Sequence, residues 1–140
     1  MHMESEKNDM EKLKRIIIGG KSYPFKIDLN VLEHIQNEYG TINQFERDLL
    51  GLKFKKDQEG KQVYNGKGEP VMVKTETSIK AIKTVLVAAI NEGLAIEADE
   101  ENRSFEKVAE EDIIRECTIP FDVLGKMLHE EFKRCFATKK

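Results

Sequence analysis

The chain has 140 residues, 39% of them hydrophobic and 35% charged, with a formal net charge of -3. That length suits one domain with a core large enough to fold without staples, and the apolar content is lean but globular. No uninterrupted run of about 18 apolar residues offers a membrane span, and the net charge gives no general basic field for nucleic acid.

The opening stretch MHMESEKNDMEKLKR lacks the apolar segment of a secretory signal. Residues 1–12 are charged and patternless, which predicts a disordered lead-in, with a single domain over 13–140. Leu13-Lys14-Arg15-Ile16-Ile17-Ile18 is a β-branched run ending at Gly19-Gly20. Beyond it, Tyr23, Phe25 and Ile27 alternate with polar residues, so a β-hairpin around the two glycines is expected. Pro24 lacks an N–H for a ladder and places its strand at an edge.

A helix follows, with two readings of its start: Asn30 with Glu33 as a capping box, or Asp28 as the cap with Ile27 and Leu32 as a hydrophobic staple. Leu32, Ile35 and Tyr39 recur at helical spacing until Gly40. Thr41 caps a second helix with Phe45 and Leu49 inward, closing at Gly51. Residues 53–76 then lose any sustained apolar period. Gly60, Gly66, Gly68 and Pro70 punctuate them, and a polar insertion is expected, with Val63-Tyr64 pairing with Val71-Met72-Val73 in an exposed hairpin.

Thr77 or Ser78 opens the most apolar helix, in which Ile79, Ile82 and the run Val85 to Ile90 are hydrophobic nearly all round, the mark of a helix buried on most sides. Asn91-Glu92-Gly93 is expected to end it, leaving Glu97, Asp99, Glu100 and Glu101 in an acidic loop. Val108 to Cys117 holds a short helix with Ile113 and Ile114 inward. Thr118 is expected to cap a last helix with Pro120 in its first turn and Phe121, Leu124, Leu128, Phe132 and Phe136 along one stripe. The fold class expected is α+β and mostly helical, with an N-terminal β-hairpin packed on a small helical bundle.

No residue set assembles a catalytic or metal-binding constellation. His2, His34 and His129 are not spaced as metal ligands and are expected to face solvent. Cys117 and Cys135 fall on or near apolar helix faces and are read as small hydrophobes. A single pair of cysteines makes no disulfide framework, which places the chain in a reducing cytoplasm. Gly19-Gly20-Lys21-Ser22 resembles the tail of a phosphate-binding loop, but the first glycine of that motif is Arg15 here and no helix follows. The carboxylates of 97–101 and 110–112 lack the register of a calcium loop. Lys53, Lys55, Lys56, Lys61 and Lys67, with Phe54 and Tyr64 between them, are the one nucleic-acid-like feature, and Asp57, Glu59 and Glu69 dilute it. Met127, Phe132 and Phe136 lie toward the free end of the last helix, where less protein remains to cover them. They are the candidate protein-binding face.

The run Ile18-Gly19-Gly20-Lys21-Ser22-Tyr23-Pro24-Phe25-Lys26-Ile27-Asp28-Leu29-Asn30-Val31-Leu32 resembles the hairpin-to-helix opening of the tail assembly chaperones of long-tailed bacteriophages and prophages. Glu38-Tyr39-Gly40, Leu50-Gly51-Leu52, the stretch Ala88 to Gly93 and Glu110 to Ile114 are similar to that family as well. The likeness covers most of 13–136, although the insertion is longer and more basic than the family's simplest pattern. The resemblance implies a non-enzymatic protein without cofactor or metal. It implies a protein that holds the long helical tape-measure protein in solution, in the host cytoplasm, until tail-tube subunits polymerise around it, and that is absent from the finished virion. In many such phages a frameshifted longer form recruits the tube subunit, and Lys139-Lys140 is compatible with a slippery codon pair. Self-association into a homo-oligomer is also compatible, whereas neither nucleic acid nor membrane is an expected partner. The competing readings are another morphogenesis component, such as a tail or connector subunit, and a small nucleic-acid-binding regulator.

Overall fold

Two consecutive left-handed glycines, Gly19 (φ 60) and Gly20 (φ 77), turn β1 (Lys14–Ile18) directly into β2 (Lys21–Phe25). The strands pair antiparallel with Ile16 opposite Tyr23 and Ile18 opposite Lys21. Ile16 and Ile18 are buried by the alternation of β1, while Tyr23, Pro24 and Phe25 are buried in succession at the end of β2, followed by Ile27. The computed structural model describes residues 13–136. The lead-in expected at 1–12, with His2, and the pair Lys139-Lys140 lie outside them.

Asp28, not Asn30, caps α1 (Leu29–Glu38): its Oδ1 accepts from the Val31 N–H at 3.3 Å. Thr41 caps α2 (Ile42–Leu50) through the Gln44 N–H at 3.1 Å, and Gly51 ends it in the left-handed conformation. Ser78 caps α3 (Ile79–Glu100) through the Ala81 N–H, also at 3.1 Å. α4 (Glu110–Glu116) and α5 (Phe121–Cys135) complete a mostly helical α+β fold. α3 packs against β2, α1, α5, α2 and α4, and α5 also packs on α2. Ile35, Phe45, Leu49, Leu86, Ile90, Ile113 and Leu128 fill the shared core.

Three expectations fail at helix ends. α3 runs straight through Asn91-Glu92-Gly93, so Glu97, Asp99 and Glu100 are helical and only Glu101 lies beyond, as the C-cap. Gly93 is there for packing: a Cβ on it would meet the carbonyl carbon and oxygen of Pro24 at 2.7 Å. This contact lets β2 lie directly on the helix, where the Lys26 N–H donates to the Ala89 carbonyl at 3.0 Å. Thr118 does not cap α5. Pro120 holds the N-cap position with no side-chain hydrogen bond, since its fixed φ already leads into a helix. Phe121, placed in the core by its stripe, is 43% exposed, while Leu124 one turn on is buried.

The insertion is an ordered arm. β3 (Leu52–Phe54) pairs antiparallel with β4 (Met72–Lys74), Leu52 opposite Lys74 and Phe54 opposite Met72. The expected pairing of Val63-Tyr64 with Val71–Val73 is found only in part, as a Tyr64–Pro70 bridge and one bond between Val71 and Val63. Above the base three segments close a ring: the Lys55 N–H donates to Val71, Val71 to Val63 and Val63 to Lys55, at 2.8, 2.9 and 3.1 Å. Two matching turns join the segments. Asp57 Oδ1 accepts from Glu59 and Lys61, and Asn65 Oδ1 accepts from Lys67 and Glu69. Gly60 and Gly68 take the left-handed position in each. The turns therefore repeat at an interval of eight residues, Asp57-x-x-Gly60-x-x-Val63 and Asn65-x-x-Gly68-x-x-Val71.

Candidate protein-binding surface

The terminal helix sorts its aromatic stripe by neighbour. Leu124 and Leu128 are buried, as expected. Phe132, read from sequence as part of an exposed end, is only 2% exposed. Phe45 of α2 covers it at 5.7 Å between ring centroids, and His129 stacks on it at 6.0 Å. Met127 is half-buried against the core. Phe136, one residue past α5, packs edge-on against Phe132 at 5.1 Å and is 55% exposed. Of the three candidate residues, Phe136 alone presents a large open face.

Phe136 does not stand alone. Leu29, at the first position of α1 and 80% exposed, joins Leu32, Ile42 and Phe136 around a shallow cup of about 560 Å³ rimmed by Asn30, Glu33 and Gln36. Leu29 is exposed because the cap at Asp28 sets the phase of α1, turning Val31, Leu32 and Ile35 inward and position 29 outward. Sequence reasoning missed Leu29 as a site residue, although its place one step after the cap was the available signal. An apolar cup with a polar rim is the form that accepts one or two anchor side chains of an amphipathic helix.

The cup is backed by an ionic clamp whose carboxylate is buried and whose guanidinium is half-exposed. Glu131, 2% exposed on α5, accepts the Ile27 N–H at 2.9 Å, while Arg134 donates to the Ile27 carbonyl at 3.0 Å. The two side chains pair with each other at 2.6 Å, and that bond raises the Arg134 pKa further. They satisfy both backbone groups of Ile27 where the hairpin hands over to α1, so the Leu29 and Phe136 ends are fixed relative to each other. The only sequence signal was an i, i+3 Glu-Arg pair, which usually lies on a solvated face.

A second groove, of about 830 Å³, runs between α1, α3 and the segment after α3, with His34, Glu38, Lys83, Val87 and Phe105 among its walls. Asn91 pins that segment, donating to the Val108 carbonyl at 3.2 Å and accepting its N–H at 2.8 Å. At the groove's edge the Glu92 carboxyl is pushed above its ordinary range by a hydrogen bond to the Asp28 carboxylate, with burial adding to it, while Asn30 opposes. Glu38, Lys83, Glu92, Lys107 and Glu110 put both signs of charge on these walls.

The remaining candidates have local roles. His34 is exposed, but His129, expected in solvent, is half-buried and bonded to Glu46 at 2.8 Å. Cys117 and Cys135 are free and half-buried. Burial pushes the Cys135 thiol up despite the nearby Arg134, away from the thiolate that nucleophilic chemistry needs. Burial and a hydrogen bond to Asp48 push the Tyr39 phenol up to about 12, so it serves as a fixed donor. Gly19-Gly20-Lys21-Ser22 is the hairpin turn and its return. Among the described residues no three His, Cys, Asp or Glu side chains converge so as to hold a metal ion, and no helix is long and apolar enough to cross a membrane. Arg47 lies over the Phe54 ring at 4.6 Å, which takes that aromatic out of the arm's free surface, whereas Tyr64 stays exposed. No family model, no curated protein and no solved structure matches the chain.

Proposed function

We propose that this chain is a non-enzymatic tail assembly chaperone of a long-tailed phage or prophage, acting in the host cytoplasm on the tape-measure protein and assisting tail-tube assembly. The sequence resemblance supports the family reading, and the cup formed by Leu29, Leu32, Ile42 and Phe136 supports the mode of action. A holding chaperone needs apolar surface that stays soluble when empty. A cup of four apolar residues in a chain that is 35% charged meets that need. Amphipathic segments of the client would each place a large apolar side chain between Leu29 and Phe136, with their polar faces against Glu33 and Gln36.

The test is co-expression of the chain with a tape-measure protein of the same phage or prophage. The native chain should keep that protein soluble, and Leu29→Asp with Phe136→Asp should not, while melting as a folded protein. Unchanged client solubility with folded variants would remove this surface from consideration. Finding the chain in purified virions would favour a structural tail or connector subunit instead.

A further inference from the structure

We propose that the basic face of the arm docks on the acidic C-terminal end of α3 in a second copy of the chain, giving head-to-tail self-association. The two surfaces are complementary and lie at opposite ends of the same helix.

Between positions 53 and 74 there are six lysines against three acidic residues, in a chain whose net charge is -3. β4 is exposed along its whole length. Cross-strand partners share a face of the sheet, so Lys53 lies beside Val73. The bond from Lys55 to Val71 continues that register. The result is a strip of two valines flanked by two lysines, with Val73 38% exposed. Valines between the lysines suit a protein surface better than a phosphate backbone.

At the other end, Asp99, Glu100, Glu101 and Glu106 are exposed. Arg15 pairs with Glu97, and Arg103 with Glu101. Asp99 and Glu100 have no ion-pair partner among the described residues. The last turn of α3 carries no basic residue, so its carboxylates sit at the negative end of the helix dipole, the unfavourable end for them. A local arrangement that works against the helix is expected where the charge serves something outside it.

The two charges cannot neutralise each other within one molecule. The arm is rooted at the start of α3, where the Thr75 N–H donates to the Gly51 carbonyl and the Ser78 N–H to Asp48. α3 has 22 residues and is about 33 Å long, several times the screening length of roughly 10 Å at 0.1 M salt. A second copy brings them together. Because the surfaces differ, the contact is heterologous and builds open chains or closed rings.

Sedimentation velocity of the full chain tests this. Self-association should appear at low ionic strength and disappear near 1 M salt. Lys53→Glu with Lys55→Glu should weaken it roughly a hundredfold by setting like charges face to face. Asp99→Lys with Glu100→Lys should weaken it as much while raising the melting temperature, since these changes suit the helix dipole. Mixing the two variants should restore association. A wild-type chain that stays monomeric at low salt, or association indifferent to both variants, would overturn the proposal. So would an arm that binds single-stranded DNA in place of a second copy. Charge-removing Lys53→Gln with Lys55→Gln, checked by circular dichroism, keeps the result readable should the reversals misfold.

Discussion

Glu131 accepts the backbone N–H of Ile27 from 104 residues away, at 2.9 Å, and so ties the last helix to the point where the hairpin becomes α1. Removing the carboxylate strands a buried N–H and frees Arg134 from its partner. Glu131→Ala should therefore cost about 2–4 kcal/mol, read from the denaturant midpoint. Glu131→Gln keeps an acceptor in place and should cost less. Equal losses would mean that the ion pair, not the bond to Ile27, holds the joint.

Gly93→Ala should behave opposite to the usual helix rule. Alanine in a helix interior is ordinarily favoured over glycine by about 1 kcal/mol. Here the added methyl would sit 2.7 Å from the Pro24 carbonyl, and β2 must lift from α3 to admit it. The substitution should destabilise by about 1–3 kcal/mol as other overpacked sites do, with faster hydrogen exchange at Lys26, whose N–H bonds to Ala89. A stabilised variant would show that β2 can move freely.

Phe132 and Phe136, adjacent on the terminal stripe, should part company on mutation. Phe132→Ala should cost about 3–5 kcal/mol, because the ring fills a site between Phe45 and His129. Phe136→Ala should leave the melting temperature nearly unchanged and lower client solubility in co-expression. Comparable losses of stability would make Phe136 a core residue.

Glu92 predicts a pH dependence. Its carboxyl is held above the ordinary value of 4.5, first by the Asp28 bond and then by burial. The folded chain thus binds this proton more tightly than the unfolded chain. The resulting stabilisation is full below that value and is lost as the pH rises through the raised one, leaving two carboxylates side by side. Glu92→Gln keeps a donor toward Asp28 at every pH. It should raise the melting temperature at pH 7 and flatten its dependence on pH above 4.5. A variant less stable than the native chain at neutral pH would show that the Glu92 charge is favourable there.

Local chemistry was legible in the sequence, and long-range packing was not. Gly19-Gly20, Thr41 and Gly51 act through their immediate neighbours, so the hairpin and two helix boundaries could be read directly, whereas Ser78 was one of two readings beside Thr77. Asp28 could be read only as one of two alternatives, because Asn30 offers equivalent local chemistry. Gly93 looked like a stop because its reason, the backbone of Pro24, is far away in sequence. Phe132 looked exposed because the residue covering it, Phe45, belongs to another helix. Glu131 carried no signal, since a carboxylate is buried only where a distant N–H awaits it. The matched turns at Asp57 and Asn65 went unread in the sequence, because their eight-residue period is much shorter than the repeats that build solenoids.

The pairing of Leu52 with Lys74 brings the two ends of the arm side by side at the surface. The chain leaves the body and returns through one doorway, and the ring of bonds among Lys55, Val63 and Val71 is closed within the arm itself. The body therefore sees only where the arm begins and ends, and a different hairpin, a reporter domain or a short loop joined at that doorway would leave the path of every helix unchanged. In evolutionary terms the position is a grafting port. Whole modules could be exchanged there while the same core is kept, and a partner specificity carried by the arm with them, without redesigning the domain that bears it.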